Sequence, residues 1–325
     1  MSARAFQLSH AAADCHAGAT RIVLSLFGGA GLLDRGFEQA GFCVLRGPDL
    51  LFGQRIEDFH AWHLHGHIEG VVGGSPCQDF SRARREPETG AGREMMRQFA
   101  RCVTQAGPAW WLLENVPNVP ALEVHGYEVQ RIYASAHEFG STQRRERVFQ
   151  FGHRGDDELV VLRRSLSRPG PWAKTVTTKH THRNFADLCE LQGLPRGFTI
   201  SGLSRSQKIR AVCNGVPVPM ASAIADAIRD RAVRSRWLAV CGLTLCACGC
   251  GRVCDPSNFG QRAGSVACRK RIERTRRLGP SVNGRVTFNA GTEAAFAFAR
   301  DATRRQNQAH NGTGSNGVGP AAGDC

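Results

Sequence analysis

The stretch RIVLSLFGGAGLLDRGFEQAGFCVLRGPD, residues 21–49, constrains the fold more than any other. Ile22 to Leu26 is an apolar run of strand length, Gly28, Gly29 and Gly31 open a turn, and Leu32 to Ala40 carries helical spacing before a second apolar run. Strand, glycine turn, helix and strand in that order make a βαβ unit with parallel strands. Further strands are predicted at Gly70 to Val72, Ala109 to Leu113 and Val148 to Gly152, and helices over Glu94 to Gln105 and Met220 to Val233. Strands alternating with helices predict the α/β class, a mostly parallel twisted sheet with helices on both faces. Such sheets bind ligands at the carboxyl ends of their strands.

The 325 residues, 42% of them hydrophobic, suffice for one large core and a smaller appendage. Residues 20–153 with 207–233 are expected to form the main domain, and 154–206, rich in Arg, Thr, Gly and Pro, a small irregular lobe. From Cys241 to Arg277 the composition turns to Cys, Gly and Arg, which sets 238–280 apart as a basic cysteine-rich module. Residues 1–19 and the tail of the basic segment 281–325 are expected to be disordered. The net charge is +14, of which residues 231–325 contribute +10 with 15 Lys and Arg against 5 Asp and Glu, so a polyanionic partner is expected there. The start of the chain has no apolar signal core and no segment approaches the ~18 apolar residues of a membrane span, so a soluble, unsecreted, cytoplasmic monomer is expected. Thirteen cysteines in such a chain are expected as buried, reactive or metal-bound thiols and not as disulfides.

Four further stretches carry chemistry: GGSPCQDFS from 73, LLENVPNV from 112, GSTQRRERVF from 140 and CNGVPVPMA from 213. In the first, an apolar strand ends by presenting Cys77 in a tight turn stiffened by Pro76. FGGAG after the first strand offers bare backbone for close approach of an adenosyl group, with Phe27 as an aromatic platform; it lacks the GxGxxG spacing of a dinucleotide site. Asp49, just past the second strand, is placed for ribose hydroxyls.

In this order, FGGAG, PCQ, ENV, QxRxR and NGVP resemble the DNA cytosine-5 methyltransferases, and the resemblance covers residues 20–232. It implies a Rossmann-like fold dependent on S-adenosyl-L-methionine, held by Phe27, Gly29, Ala30, Gly31, Asp49, Pro76 and Asn214. Where the family has an adenine-binding aspartate this chain has Arg55, so Glu57 or Asp58 is expected to substitute. It implies Cys77 as nucleophile with Gln78 as its polar neighbour, and Glu114, Arg145 and Arg147 as the remaining catalytic groups. It also implies double-stranded DNA as substrate, gripped by Ser81, Arg82, Arg84 and Arg85 of a closing lid and by Gln143 and Arg168. Leu32 replaces a usual glycine, and barely twenty residues remain for base reading near Arg168.

The residues suit that chemistry independently. Carbon 5 of cytosine is a poor nucleophile until a group adds to C6 and breaks the aromaticity, and a thiolate both adds readily and leaves later. Charge pushed onto O2 and N3 calls for an acid, Glu114 at the end of an apolar run, and a cation, Arg147. The target base must leave the stacked duplex. Cys246, Cys248, Cys250, Cys254 and Cys268 offer four thiolates for a tetrahedral zinc site, and RKRIERTRR after the last resembles the basic helix closing a zinc ribbon. Such a module could supply the DNA reading that the short lobe lacks. Two other readings stay open: a tRNA cytosine-5 methyltransferase of the same fold, and a catalytically silent DNA-binding protein.

Overall fold

The apolar runs fold into one six-stranded sheet. In the computed structural model, β1 (Ile22–Leu26), β2 (Cys43–Arg46), β3 (Gly70–Gly74), β4 (Trp110–Asn115), β6 (Glu128–Ser135) and β7 (Glu146–His153) lie in the order β2-β1-β3-β4-β7-β6. The structure describes residues 21–81, 84–155, 158–163, 173, 175–176, 183–254, 263–278 and 285–288. All of these belong to a compact unit spanning Met1–Phe288. The expected disordered ends at 1–19 and in the tail lie outside the described residues, as do Arg82 and Arg168. Strands β1 to β4 pair in parallel, and β7 runs antiparallel to both β4 and β6.

Alternation along β4, WWLLEN, shows why both faces are covered. Trp110 and Leu112 join the core with Leu33 and Phe37 of α1 (Leu32–Gln39) and Met220, Ile224 and Ile228 of α5 (Val218–Arg229). Trp111 and Leu113 point the other way, into the core of Met96, Phe99 and Val103 of α2 (Ala91–Ala106). Room for the two tryptophans comes from glycines directly opposite. A Cβ on Gly70 would stand 2.4 Å from the Trp110 ring, and one on Gly152 2.0 Å from Trp111, and these are the very residues paired with them across the sheet. Truncating either tryptophan would cost about 3–5 kcal/mol.

From β1 the chain winds outward to β2, then crosses to the opposite side of β1 for β3, so the order reverses between β1 and β3. The carboxyl ends of those two strands flank the crevice where a doubly wound sheet takes its ligand. Because β7 runs backwards, its first residues lie level with the last residues of β4, where Asn115 pairs with Val148. One edge of the sheet thus gathers four of the five sequence stretches.

Three details depart from expectation. Strand β6 was not foreseen, because its alternation (EVQRIYAS) is that of a half-covered outer strand. The helix expected over Met220 to Val233 is two helices, α5 and α6 (Arg231–Val240), which meet at Asp230. The described part of the lobe is less irregular than its composition suggests: Leu159 and Val161 enter the main core, and α3 (Phe185–Leu191) shares a small core of Leu188, Leu194 and Val212 with α4 (Arg205–Asn214), which lies mostly beyond the lobe. The short β5 (Ala121–Val124) pairs with β10 (Arg285–Phe288), and β8 (Thr244–Leu245) with β9 (Val253–Cys254), ahead of α7 (Val266–Leu278). Among the described residues no single helix is long and apolar enough to cross a membrane.

Candidate active site

Past β3 the chain turns at Ser75 and Pro76 and sets Cys77 at the head of a short 3₁₀ turn, Gln78–Phe80. The turn is tied to the next strand. Asn115, at the end of β4, donates its Nδ2 to both the carbonyl and the hydroxyl oxygen of Ser75, each at 3.0 Å, and its Oδ1 accepts from the Val116 N–H. Sequence reading noticed ENV and assigned Glu114 alone. Asn115 shows its role only once β3 and β4 are neighbours.

Glu114 precedes Asn115 and so faces the opposite side of the sheet. Its Oε1 lies 2.7 Å from Nε of Arg147, the second residue of β7. Burial raises the Glu114 carboxyl above the ordinary carboxylate range, against the pull of Arg147 and Arg145. Burial likewise raises the Cys77 thiol; the Glu114 charge adds to that, and Arg147 and Arg145 oppose it. The three groups feel one another's charge, which places a thiol, a carboxyl and a guanidinium within a single electrostatic neighbourhood at the carboxyl end of the sheet. A separate cleft of about 150 Å³ is lined by Phe80, Val116, Pro117, Asn118 and Glu146, and by none of these three groups.

The segment QRRER divides its labour by position. Gln143 was expected to touch DNA, and the structure corrects this: it is fully buried, donating to the Leu191 carbonyl (2.7 Å) and to Oε1 of Gln192 (2.9 Å) and accepting from the Val176 N–H (3.2 Å). Arg145, expected beside the reacting base, spends its guanidinium on main-chain carbonyls. Nη1 reaches Val176 at 3.0 Å, and Nη2 reaches Cys213, Asn214 and Gly215 at 2.7, 3.1 and 3.0 Å. Burial, ahead of repulsion from Arg147, pushes its pKa down to about 9, while Glu114 opposes the shift. Gln192, unnoticed in the sequence, adds bonds from Nε2 to Val212 and Gly215. Together these side chains knit β7, the end of α3 and the NGVP turn into one body, with Arg145 as a positioning residue.

The lid residues differ from one another. Ser81 is half-buried and Arg85 exposed, whereas Arg84 is turned inward, its Nη1 2.8 Å from Asp79 Oδ1 and its Nε donating to the Glu86 carbonyl. Asp79, missed in the sequence, holds this loop closed on itself. It accepts from the Gly92 N–H at 2.8 Å, in the first turn of α2, and from the N–H and hydroxyl of Thr89. Those backbone bonds, Gly92 foremost, keep its carboxyl below its ordinary range. Gln78 is exposed beside the nucleophile.

At the end of β1, Phe27 takes a left-handed φ of 56°, a strained conformation for any residue but glycine, and Gly31 follows at φ 72° at the head of α1. Asp49 braces this turn: Oδ2 accepts from the Gly29 N–H and Oδ1 from the Leu51 N–H, both at 2.7 Å. Beneath it, Asp34 is fully buried, bonded to the Ser25 hydroxyl and 2.9 Å from Arg46 Nε. Burial still raises its pKa. The Arg46 guanidinium lies so close over Gly31 that a Cβ there would stand 2.0 Å from Nη2. Ala30 and Pro76 are half-buried, Asn214 is exposed, and Glu57 pairs with Arg55 at 3.0 Å next to exposed Asp58.

In the C-terminal module, the sulfurs of Cys246, Cys248, Cys250 and Cys268 all lie within 4.8 Å of one another. Cys254, on β9, is outside that group of four but is buried in the same cluster.

Residues 54–188 match the family model described as C-5 cytosine-specific DNA methylase. Over 177 residues the chain is 30% identical to the Type II methyltransferase M.HgiDI of Herpetosiphon aurantiacus, covering 45% of this chain and 57% of that protein. It is 30% identical over 170 residues to the Type II methyltransferase M.NgoPII of Neisseria gonorrhoeae, covering 42% and 49%. The chain therefore spans about half the length of the relatives it matches. Among solved structures, S. pombe Dnmt2 methyltransferase superposes with a TM-score of 0.47 at 12% identity, covering 64% of this chain and 98% of that one.

Proposed function

We propose that this chain, whose residues 54–188 match the C-5 cytosine-specific DNA methylase family, is a member of that family and transfers a methyl group to carbon 5 of cytosine in double-stranded DNA. The observation that carries the proposal is the meeting of Cys77 with the Glu114–Arg147 pair at one end of the sheet, beside the glycine turn of β1. The relatives named Type II methyltransferases support a DNA-modifying enzyme over the tRNA-directed alternative.

The glycine turn fits the adenosyl donor. No atom lies within 4 Å of the position a Cβ would take on Gly29, and Asp49 stands at the end of β2 with its carboxylate turned to that turn. Phe27, Gly29, Ala30, Gly31 and Asp49 would hold it, with Pro76 and Asn214 at the margin and Glu57 or Asp58 toward the adenine. When bound, S-adenosyl-L-methionine supplies an electrophilic methyl group.

The remaining chemistry belongs to the chain. With the cytosine flipped from its stack, the Cys77 thiolate adds to C6 and charge moves onto N3 and O2. Glu114, biased toward its protonated form by burial, donates to N3 and accepts from the exocyclic amine, a pairing that thymine cannot offer. Arg147 steadies both Glu114 and the charge at O2. Arg145 acts through the backbone it holds, fixing the NGVP turn against β7. After C5 takes the methyl group, solvent water takes the C5 proton, the electron pair left behind forms the C5–C6 double bond as the Cys77 sulfur departs as thiolate, and N3 returns its proton to Glu114.

The test is methyl transfer from labelled S-adenosyl-L-methionine to duplex DNA and, separately, to tRNA, followed by bisulfite sequencing of DNA from cells expressing the chain. Label on duplex DNA that disappears in Cys77→Ser is the expected result. Label on tRNA alone, or none on either, would overturn the assignment.

A further inference from the structure

Nothing in the proposed reaction uses the cysteine cluster, yet among the described residues it is the one group of ligand atoms close enough together to hold a metal ion. We propose that Cys246, Cys248, Cys250 and Cys268 bind one structural zinc ion as four thiolates, and that this ion fastens the C-terminal module onto the outer strand of the catalytic sheet.

The first argument is spacing. Four sulfurs bound tetrahedrally to zinc at about 2.3 Å stand about 3.8 Å apart. Here Cys246 and Cys248 are separated by 3.5 Å, Cys250 and Cys268 by 3.6 Å, and no pair in the cluster exceeds 4.8 Å. None of the four is in a disulfide. Among the described residues, the hydrophobic side chains packed with these four are Cys254 and Ala263, too few to make an apolar core that explains their convergence.

The second argument is the ring of donors aimed at the sulfurs. The Gly264 N–H points at Cys246 Sγ (3.3 Å), Nη1 of Arg271 at Cys248 Sγ (3.3 Å), and the Ser265 hydroxyl at Cys268 Sγ (3.1 Å). Hydrogen bonds of this kind orient metal-bound thiolates and offset the double negative charge that four of them leave on a divalent ion. Cys268 also sits in the first turn of α7, where the helix dipole favours an anionic sulfur. The backbone is wound to suit: Gly249 and Gly251 take φ of 73° and 72°, and the Cys246 N–H closes the loop on the Arg252 carbonyl at 2.8 Å. Three ligands at alternate positions thus turn inward from five residues, and the fourth arrives on the helix.

The third argument is where the knot is tied. Arg163 donates to the Cys250 carbonyl (2.6 Å), to the Tyr133 carbonyl of β6 and to Glu138, which Arg252 also engages. The Arg271 guanidinium lies 4.1 Å over the Tyr133 ring, and the Val161 N–H donates to the Gly251 carbonyl at 2.8 Å. Tyr133 pairs with Val148 of β7, one residue from Arg147, so the module is anchored on the strand next to the one that carries a proposed catalytic residue.

The experiment is elemental analysis of the full chain purified under reducing conditions without added chelator, with a cobalt(II) titration of the same chain after chelation. The expected results are about one zinc per chain, retained in Cys254→Ser and lost in Cys268→Ser, with the intense visible absorption of a tetrahedral cobalt thiolate. A lower melting temperature on chelation would support the fastening role. Less than about one-tenth of an equivalent of any metal, iron in place of zinc, or metal loss in Cys254→Ser equal to that in Cys268→Ser would overturn the assignment. The cobalt spectrum requires no substitution, so it decides the question even where a ligand variant fails to fold. Methyl transfer is not among these readouts, so the outcome stands apart from that of the proposed reaction.

Discussion

The carboxyl edge of the sheet and the cysteine-rich module both concentrate sulfur, and they treat it in opposite ways. At the sheet edge one thiol, Cys77, sits among groups that are not sulfur: a carboxyl that resists ionising it and two arginines that favour it. In the module four thiols face each other and are surrounded by N–H and O–H donors. The lesson is that neighbours decide a cysteine's role. A single sulfur between opposed charges is poised to react, and a ring of sulfurs is poised to hold an ion.

That contrast can be broken experimentally. Its sharpest form is that Cys77→Ser abolishes methyl transfer, by about 10³-fold or more, and leaves the thermal transition in place, whereas Cys268→Ser lowers the transition first. Equal losses of both quantities in both variants would erase the distinction. Next in size, Glu114→Gln should cost about 10²–10⁴-fold in methyl transfer. It should also alter Cys77 itself. The Glu114 charge raises the thiol pKa, so its removal lowers that pKa and shifts the pH midpoint of Cys77 alkylation downward; Arg147→Ala should shift it upward. Movement in the same direction for both variants would refute the electrostatic picture of the edge.

A smaller effect separates the two arginines of β7's approach. Arg145→Met takes a donor from four carbonyls, of which Gly215 keeps another in Gln192, and should cost about 3–5 kcal/mol in urea unfolding, while Arg147→Met should cost less stability and more activity. The smallest is Asp79→Ala, about 1–2 kcal/mol through the lost N-terminal bonds to α2. Asp79 has a depressed pKa, so its contribution is present above the ordinary carboxylate range and fades as the pH falls through its folded value. The gap between wild type and Asp79→Ala should therefore close in acid, measured as urea midpoints across pH.

How much of this was legible in the sequence follows the reach of each interaction. The β1 turn and the placement of Cys77 and Glu114 at the ends of strands could be read because strand period and local glycines are short-range signals. The order of the stretches pointed to the chemistry. Gln143 and Arg145 could not be placed, since their partners lie 31 to 70 residues away and only the folded chain brings Val176, Leu191, Gln192 and residues 213–215 to them. Two polar residues in a basic segment look like a surface, and burial gave them a different office. Asp79 and Asn115 were hidden for the same reason: each secures a neighbouring segment, and neither has a local pattern of its own. The module shows the converse limit. Cysteine spacing announced a cluster, and only the folded chain shows which four of the five sulfurs lie within 4.8 Å of one another.

The reversed direction of β7 has a consequence for how this protein can change. Glu114 and Arg147 come from strands of opposite polarity and meet diagonally on one face, two positions out of step. Inserting or deleting a single residue in either strand would exchange that face for its reverse and send one partner to the far side. Lineages of this chain should vary freely in the lengths of their connecting loops while holding the parity of these two segments fixed.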